Sequence, residues 1–295
     1  MTFRSLPHVL LAVAASLTAC KSDRPATGAA TVSNDAVATP VSSPAATVVT
    51  VTASDYKLDL PAKIPAGAVT MHLLNHGKEM HQAQIIRLED GKTAADFAQL
   101  KPDAPPPSWA KFVGGPNGIV PGGETTATAV LTPGNYLVLC FIPSPDGVPH
   151  DRKGMIQPFE VTAGTGAGAS ALPAAGDTIK LVDYTFESSR PLTPGRHTIL
   201  VENAGPQAHE LVLLQLAPGK TAQDFAKWAT TGGMKGPPPA MPVGGVTVIE
   251  HGGSGVFTAD LAPGDYGLIC FVPDAKDGKP HLMHGMVKQI TVAAR

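Results

Sequence analysis

The chain contains one stretch twice, and this repeat constrains its fold more than any other feature. Asp55-Tyr56 recurs as Asp183-Tyr184, and Asn75 to His81 (NHGKEMH) recurs as Asn203 to His209 (NAGPQAH). Gly91-Lys92-Thr93-Ala94 returns as Gly219-Lys220-Thr221-Ala222, Pro105 to Pro107 as Pro237 to Pro239, and Val113-Gly114-Gly115 as Val243-Gly244-Gly245. Leu131-Thr132-Pro133-Gly134 returns as Leu261-Ala262-Pro263-Gly264. The offset stays between 128 and 132 residues. A unit of that length is too long for a solenoid repeat, so two tandem copies of one domain are expected, at 48–162 and 177–293. The Gly/Ala/Ser-rich stretch 163–176 between them reads as a short linker.

Within each copy the apolar period is mostly two. Val69–Leu74, His81–Leu88, Glu124–Leu131, Asn135–Phe141 and Gln157–Thr162 are expected strands in the first copy. Thr198–Glu202, His209–Leu216, Gly255–Leu261, Asp265–Phe271 and Lys288–Val292 are their counterparts. Pro133-Gly134 and Pro263-Gly264 mark turns. One short helix per copy is expected, Thr93–Leu100 and Thr221–Ala229, followed by a long loop around each triple proline. With 31 Gly, 29 Pro and 5% aromatic residues, the fold class is all-β: two tandem Greek-key β-sandwich domains. The net charge of −2 argues against a nucleic-acid footprint, and three cysteines cannot staple a scaffold of this size. Gly-Lys-Thr-Ala lacks the rest of a phosphate-loop pattern in both copies.

The N-terminus reads as an address. Arg4 precedes the apolar run Val9 to Ala15, and Leu17-Thr18-Ala19-Cys20 resembles a bacterial lipobox. The resemblance implies a signal peptide over 1–19, cleavage before Cys20 and lipidation of its thiol. Residues 20–47, rich in Ala, Thr, Ser and Pro, then form a flexible tether. The expected location is the bacterial cell envelope, lipid-anchored, with Lys21 after the cysteine favouring the outer membrane of a Gram-negative cell.

Chemistry-bearing residues repeat in the same order. Each copy places a histidine after an Asn-x-Gly turn (His81, His209), a cysteine at the end of an apolar run (Cys140, Cys270), a histidine about ten residues on (His150, His281), and a methionine five residues later (Met155, Met286). Two imidazoles, one thiolate and a long axial thioether suit a copper ion that cycles between two oxidation states. The plainer readings are a Cys140–Cys270 disulfide, inert buried thiols in a metal-free fold, and methionines serving only as core. His76, Met80 and His284 lack counterparts and are expected in exposed loops; His72, His197 and His251 are expected at the surface.

At these residues the chain resembles the cupredoxins, the blue type 1 copper family, over about 115 residues twice. The resemblance implies up to two copper ions, held by His81, Cys140, His150 and Met155 and by His209, Cys270, His281 and Met286. The long cysteine-to-histidine loop and the His-x-x-x-Gly-Met ending look like the type 1 site of copper nitrite reductases. Catalytic members commonly carry a histidine directly before the type 1 cysteine, where Leu139 and Ile269 stand here. The expected function is therefore electron transfer without catalysis, to a redox partner of the envelope not named by the sequence. Electrons would pass through His150 or His281 at an apolar rim beside Pro149 or Pro280. Copper storage or delivery, and a copper-free structural or adhesion lipoprotein, are the alternatives.

Overall fold

Alternation of buried and exposed side chains organises the chain into strands, as along Gly67–Asn75, where Val69, Met71 and Leu73 face inward and Thr70 and His72 face out. The computed structural model describes residues 45–101, 105–163, 171–231 and 235–294. The expected signal peptide, Cys20, nearly all of the tether and much of the 163–176 linker lie outside the described residues. Strand makes up 50% of the structure and helix 9%, so the fold is mostly β.

Two sheets carry the described strands. One runs Thr185–Ser188, Asp177–Val182, Gly195–Asn203, Ser254–Leu261, Glu124–Leu131, Gly67–Asn75, Thr47–Ser54, Lys57–Asp59. The other runs Val287–Val292, Gly264–Ile269, His209–Leu216, Ala240–Ile249, Ala110–Gly114, Gln84–Leu88, Gly134–Leu139, Ile156–Thr162, Lys63–Pro65. Both orders pass from one copy into the other, and residues 43–295 form one compact unit. The copies are thus joined edge to edge through both sheets.

The join has the geometry of an internal two-fold. Ala127 pairs with its own repeat equivalent, Phe257, and Thr126 pairs antiparallel with Thr258, their hydroxyls 2.8 Å apart. A self-complementary contact of this kind is what two copies of one surface make about a two-fold axis. It also removes two open sheet edges that would otherwise invite aggregation. Across the second sheet, Asn117 of the first copy donates to the Leu211 and Val246 carbonyls and to Glu210 of the second. Gly115 and Gly245 lie in the positive-φ region where these chains cross. A Cβ on either would meet a carbonyl oxygen, of Ala83 or Leu211, at 2.1 or 2.0 Å.

Each copy still has its own core. Val51, Leu73, Ile85, Tyr136 and Val138 pack with Cys140 and Met155, and Leu181, Val201, Leu213, Tyr266 and Leu268 pack with Cys270 and Met286. The tyrosine hydroxyls escape burial unpaired by donating to the Thr132 and Ala262 carbonyls at 2.8 and 3.0 Å. The two helices, Ala94–Ala98 and Ala222–Thr230, start where expected because Thr93–Asp96 and Thr221–Asp224 form reciprocal capping boxes.

The strands Ala110–Gly114 and Ala240–Ile249 replace part of what the sequence suggests is loop. Their Gly-Gly pairs and Pro242 obscure the period-two signal, and pairing with Gln84–Leu88 and His209–Leu216, distant in sequence within the same copy, supplies what local preference lacks. Thr47–Ser54 and Asp177–Val182, also unforeseen, pair in parallel with Gly67–Asn75 and Gly195–Asn203.

His197 is buried rather than at the surface. Its Nδ1 meets Asp177 at 2.7 Å and its Nε2 meets the Thr193 carbonyl at 2.7 Å, while Arg190 donates to the other Asp177 oxygen. Burial works to raise the Asp177 carboxyl, but Arg190 and His197 outweigh it and hold it below its ordinary 3.8. A depressed folded-state value contributes stability above the unfolded value that is lost as pH falls through the folded one. Asp177→Asn is therefore expected to cost about 2 kcal/mol at pH 7, measured by urea unfolding. The deficit against wild type should shrink as pH falls below 3.8.

Candidate metal centre

The cysteine-to-methionine segment folds as one hook in each copy. Strand Gly134–Leu139 ends just before Cys140, and the chain returns through a 3-10 turn, His150–Lys153. Gly154 closes that turn with φ 100°, a left-handed conformation that explains the glycine in His-x-x-x-Gly-Met. Asp151 N–H donates to the Cys140 carbonyl at 2.8 Å, Met155 N–H to the His150 carbonyl at 3.0 Å, and Cys140 N–H to the Met155 carbonyl at 3.3 Å. Spacing in sequence is thereby converted into adjacency of cysteine, histidine and methionine. The second copy repeats the hook with His281–His284, Gly285 and Met286.

The upstream histidine is placed by the Asn-x-Gly turn. Asn75 Oδ1 accepts the Gly77 N–H, and its Nδ2 donates to the Glu79 and Ile119 carbonyls. Asn203 does the same with Gly205, Gln207 and Ile249. The glycine is needed for space. A Cβ on Gly77 would lie 2.5 Å from both His81 Nε2 and Asp55 Oδ1, and one on Gly205 would lie 2.7 and 2.8 Å from His209 Nε2 and Asp183 Oδ1.

The hooks and turns bring His81, Cys140 and His150 together in the first copy, and His209, Cys270 and His281 in the second. All six are fully buried. The two Nδ1 atoms approach to 3.1 Å in the first group and 2.9 Å in the second. Cys140 Sγ lies 3.3 Å from His150 Nδ1; Cys270 Sγ lies 3.5 Å from His281 Nδ1 and 3.9 Å from His209 Nδ1. Each sulfur also receives a backbone N–H, from Gln82 or Glu210, at 3.5 Å. Met155 and Met286 are fully buried in the same cores as the cysteines.

Outward-facing partners set the tautomers. His81 Nε2 faces Asp55 at 3.2 Å, His209 Nε2 faces Asp183 at 2.5 Å, and His150 Nε2 faces Glu79 at 2.8 Å. For Asp55, burial works to raise the carboxyl, and the Lys78 and Glu79 N–H groups and His81 together bring it below its ordinary value. Glu79 is lowered in the same way, against burial, by His150, Tyr56 and Ser144. Burial pushes His81 and His209 down despite their aspartates, and it lowers His281 to about 4 with help from His209. A neutral imidazole whose Nε2–H serves a carboxylate presents a lone pair at Nδ1. The Nδ1 lone pairs of His81 and His209 therefore turn inward, toward the second Nδ1 and the sulfur of each group. Burial pushes the Cys140 thiol up to about 12 and raises Cys270 likewise, so both are neutral and unreactive as thiols. A cation that displaces the thiol proton resolves the lone-pair repulsion, and the N₂S donor set fits copper.

One sequence expectation needs correction. His150 and His281 do not reach the surface at an apolar rim. Both rings are enclosed, His150 by Glu79 and Tyr56, and His281 by Tyr184 and Asp274. Cys140 and Cys270 are both free, each within its own cluster. Asp55, Tyr56, Glu79, Asp183, Tyr184 and Asp274 were not singled out for a role by the sequence. The recurring Asp-Tyr dipeptide was the available signal, since it stands opposite the same ligand in both copies.

No family model matches the chain, and no curated protein matches it. Among solved structures, the chain is similar to a reduced auracyanin from the photosynthetic bacterium Roseiflexus castenholzii, at 22% identity over 40% of this chain and 98% of that one, with a TM-score of 0.29. It is also similar to a copper nitrite reductase from Nitrosomonas europaea, at 14% identity over 84% of this chain and 94% of that one, TM-score 0.25. The blue copper oxidase of the same organism matches at 13% identity over 84% and 86%, TM-score 0.25.

The tautomers are directly observable. In the metal-free chain at pH 7, long-range ¹H–¹⁵N spectra are expected to show His81 and His209 as neutral Nε2–H forms. Gly205→Ala should abolish that signature at His209 and leave His81 unchanged; an Nδ1–H form in the wild-type chain would contradict the arrangement.

Proposed function

We propose that this is an extracytoplasmic copper-binding electron-transfer protein, built from two cupredoxin-like Greek-key sandwiches with one type 1-like site in each. The carrying observation is the convergence of two Nδ1 atoms and one thiol in a fully buried pocket, repeated in both copies. His81, Cys140 and His150, and His209, Cys270 and His281, would hold the ion, with Met155 and Met286 as axial candidates. A bound copper supplies one-electron exchange. The protein's own part is to keep water out, to hold a proton on each outward Nε2, and to fix donor positions between strands that cannot relax. Asp55 and Asp183 orient the imidazoles from behind, as outer partners of metal-binding histidines commonly do.

Enclosure also favours electron transfer over catalysis, because no ligand side chain is open to a substrate. The envelope location, the lipid anchor at Cys20 and a redox partner in the envelope belong to the same proposal. With Tyr56, Glu79, Lys153 and Asp146 over the first site, the partner would meet a polar, charged cap rather than an apolar rim.

Titrating the purified full chain with copper(II) tests this. An intense thiolate-to-copper band near ~600 nm, or shifted towards ~450 nm, is expected to saturate at two equivalents. Cys140→Ser and Cys270→Ser should each remove about half of it. Tight copper(I) binding without a band would favour storage or delivery; no binding at all would leave a structural role.

A further inference from the structure

The two caps differ at corresponding positions. In the first copy Lys153 Nζ binds Asp146 Oδ2 at 2.8 Å and lies 4.8 Å over the Tyr56 ring, with Ser144 beside it on the Tyr56 hydroxyl. In the second copy His284 stands where Lys153 does, meets Asp277 Oδ1 at 3.1 Å and packs 5.1 Å from the Tyr184 ring; Asp274 replaces Ser144. One ammonium is thus exchanged for an imidazole and one hydroxyl for a carboxylate. The change sets three side chains able to ligate a metal, Asp274, Asp277 and His284, with donor atoms within 4.8 Å of one another, and Asp277 also pairs through Oδ2 with Lys279 Nζ at 3.2 Å.

A second observation points at the same place. His281 Nε2 is fully buried, has no hydrogen-bond partner, and sits 3.9 Å from Asp274 Oδ2. Its counterpart His150 Nε2 is satisfied by Glu79 at 2.8 Å, where the second copy has Gln207. Gln207 is turned to the carboxylates, donating to both Asp183 and Asp274 at 2.9 Å. The second copy has therefore moved its carboxylate from the side of the turn to the loop, next to an imidazole and a second carboxylate. Asp274 is itself buried, held by Tyr184 and Gln207, while Asp277 and His284 reach solvent.

We propose that Asp274, Asp277 and His284 form an outer divalent-cation site, present only in the second copy, that takes zinc(II) or copper(II) from solution. Two carboxylate oxygens and one imidazole nitrogen are a borderline donor set suited to those ions. An ion held there stands one carboxylate away from His281, and so beside an inner cluster that has no exposed ligand of its own. In the first copy Lys153 occupies the corresponding place and repels a cation.

The test uses the purified full chain loaded with two equivalents of copper(II), which outcompetes zinc at nitrogen and sulfur donors, then equilibrated with excess zinc(II) and washed before metal analysis. Wild type is expected to hold one zinc more than His284→Lys and one more than Asp277→Asn. Equal zinc in wild type and His284→Lys overturns the proposal, as does loss in His284→Lys with full retention in Asp277→Asn. Both substituted side chains lie at the surface, and an unchanged near-UV circular dichroism spectrum confirms that the fold is kept. The visible copper band reports the inner sites and the zinc difference reports the outer one, so either reading can fail without the other.

Discussion

The pairing of an outward imidazole nitrogen with a carboxylate is the contact on which both sites depend. Asp55 and Asp183 accept hydrogen bonds from the Nε2–H groups of His81 and His209, and this turns the Nδ1 lone pair inward. Buried imidazoles without such partners would be free to rotate or to protonate between themselves. The pairing in turn needs the Asn-x-Gly turn, because only a residue without Cβ lets carboxylate and imidazole meet across the backbone at Gly77 and Gly205. A short polar motif is thus present for the sake of a donor atom several residues away.

The second constraint is the internal two-fold. Sheet edges at Glu124–Leu131 and Ser254–Leu261 close on each other, and Asn117 of the first copy satisfies a buried Glu210 next to the second site's His209. Burial raises the Glu210 carboxyl, with Asn117 and the Phe271 N–H acting against it. The equivalent residue in the first copy is the neutral Gln82, so the copies share a frame and differ in the polar groups around their sites. The exchange of Glu79 and Ser144 for Gln207 and Asp274 is a further instance. Duplication has kept the inner His-Cys-His sets and allowed the shells around them to diverge.

Much of the site was legible because the repeat acts as its own control. His81, Cys140, His150 and Met155 gain meaning from His209, Cys270, His281 and Met286 at a steady offset, and the structure gathers the histidines and cysteines of each set. The carboxylates escaped notice because Asp and Glu at strand ends and turns are ordinary surface residues. Only their position behind an imidazole distinguishes them. Ala110–Gly114 and Ala240–Ile249 escaped for a related reason: their glycines and proline suppress local strand preference, and their pairing comes from residues far along the chain.

The amino-acid sequence by itself determined the duplication, the period-two strands, the capped helices and the order of the sulfur and nitrogen donors, since all of these are local patterns or spacings. Tertiary structure decided the rest. It fused the two copies through shared sheets, buried His150 and His281 beneath polar caps, chose which imidazole nitrogen faces inward, and placed His284 beside Asp277 and near Asp274. Those outcomes depend on contacts between segments far apart in the chain, on how a single loop folds back on itself at Asp277 and His284, or on which nitrogen of a ring finds a carboxylate, and burial makes that choice only once the sheets have closed.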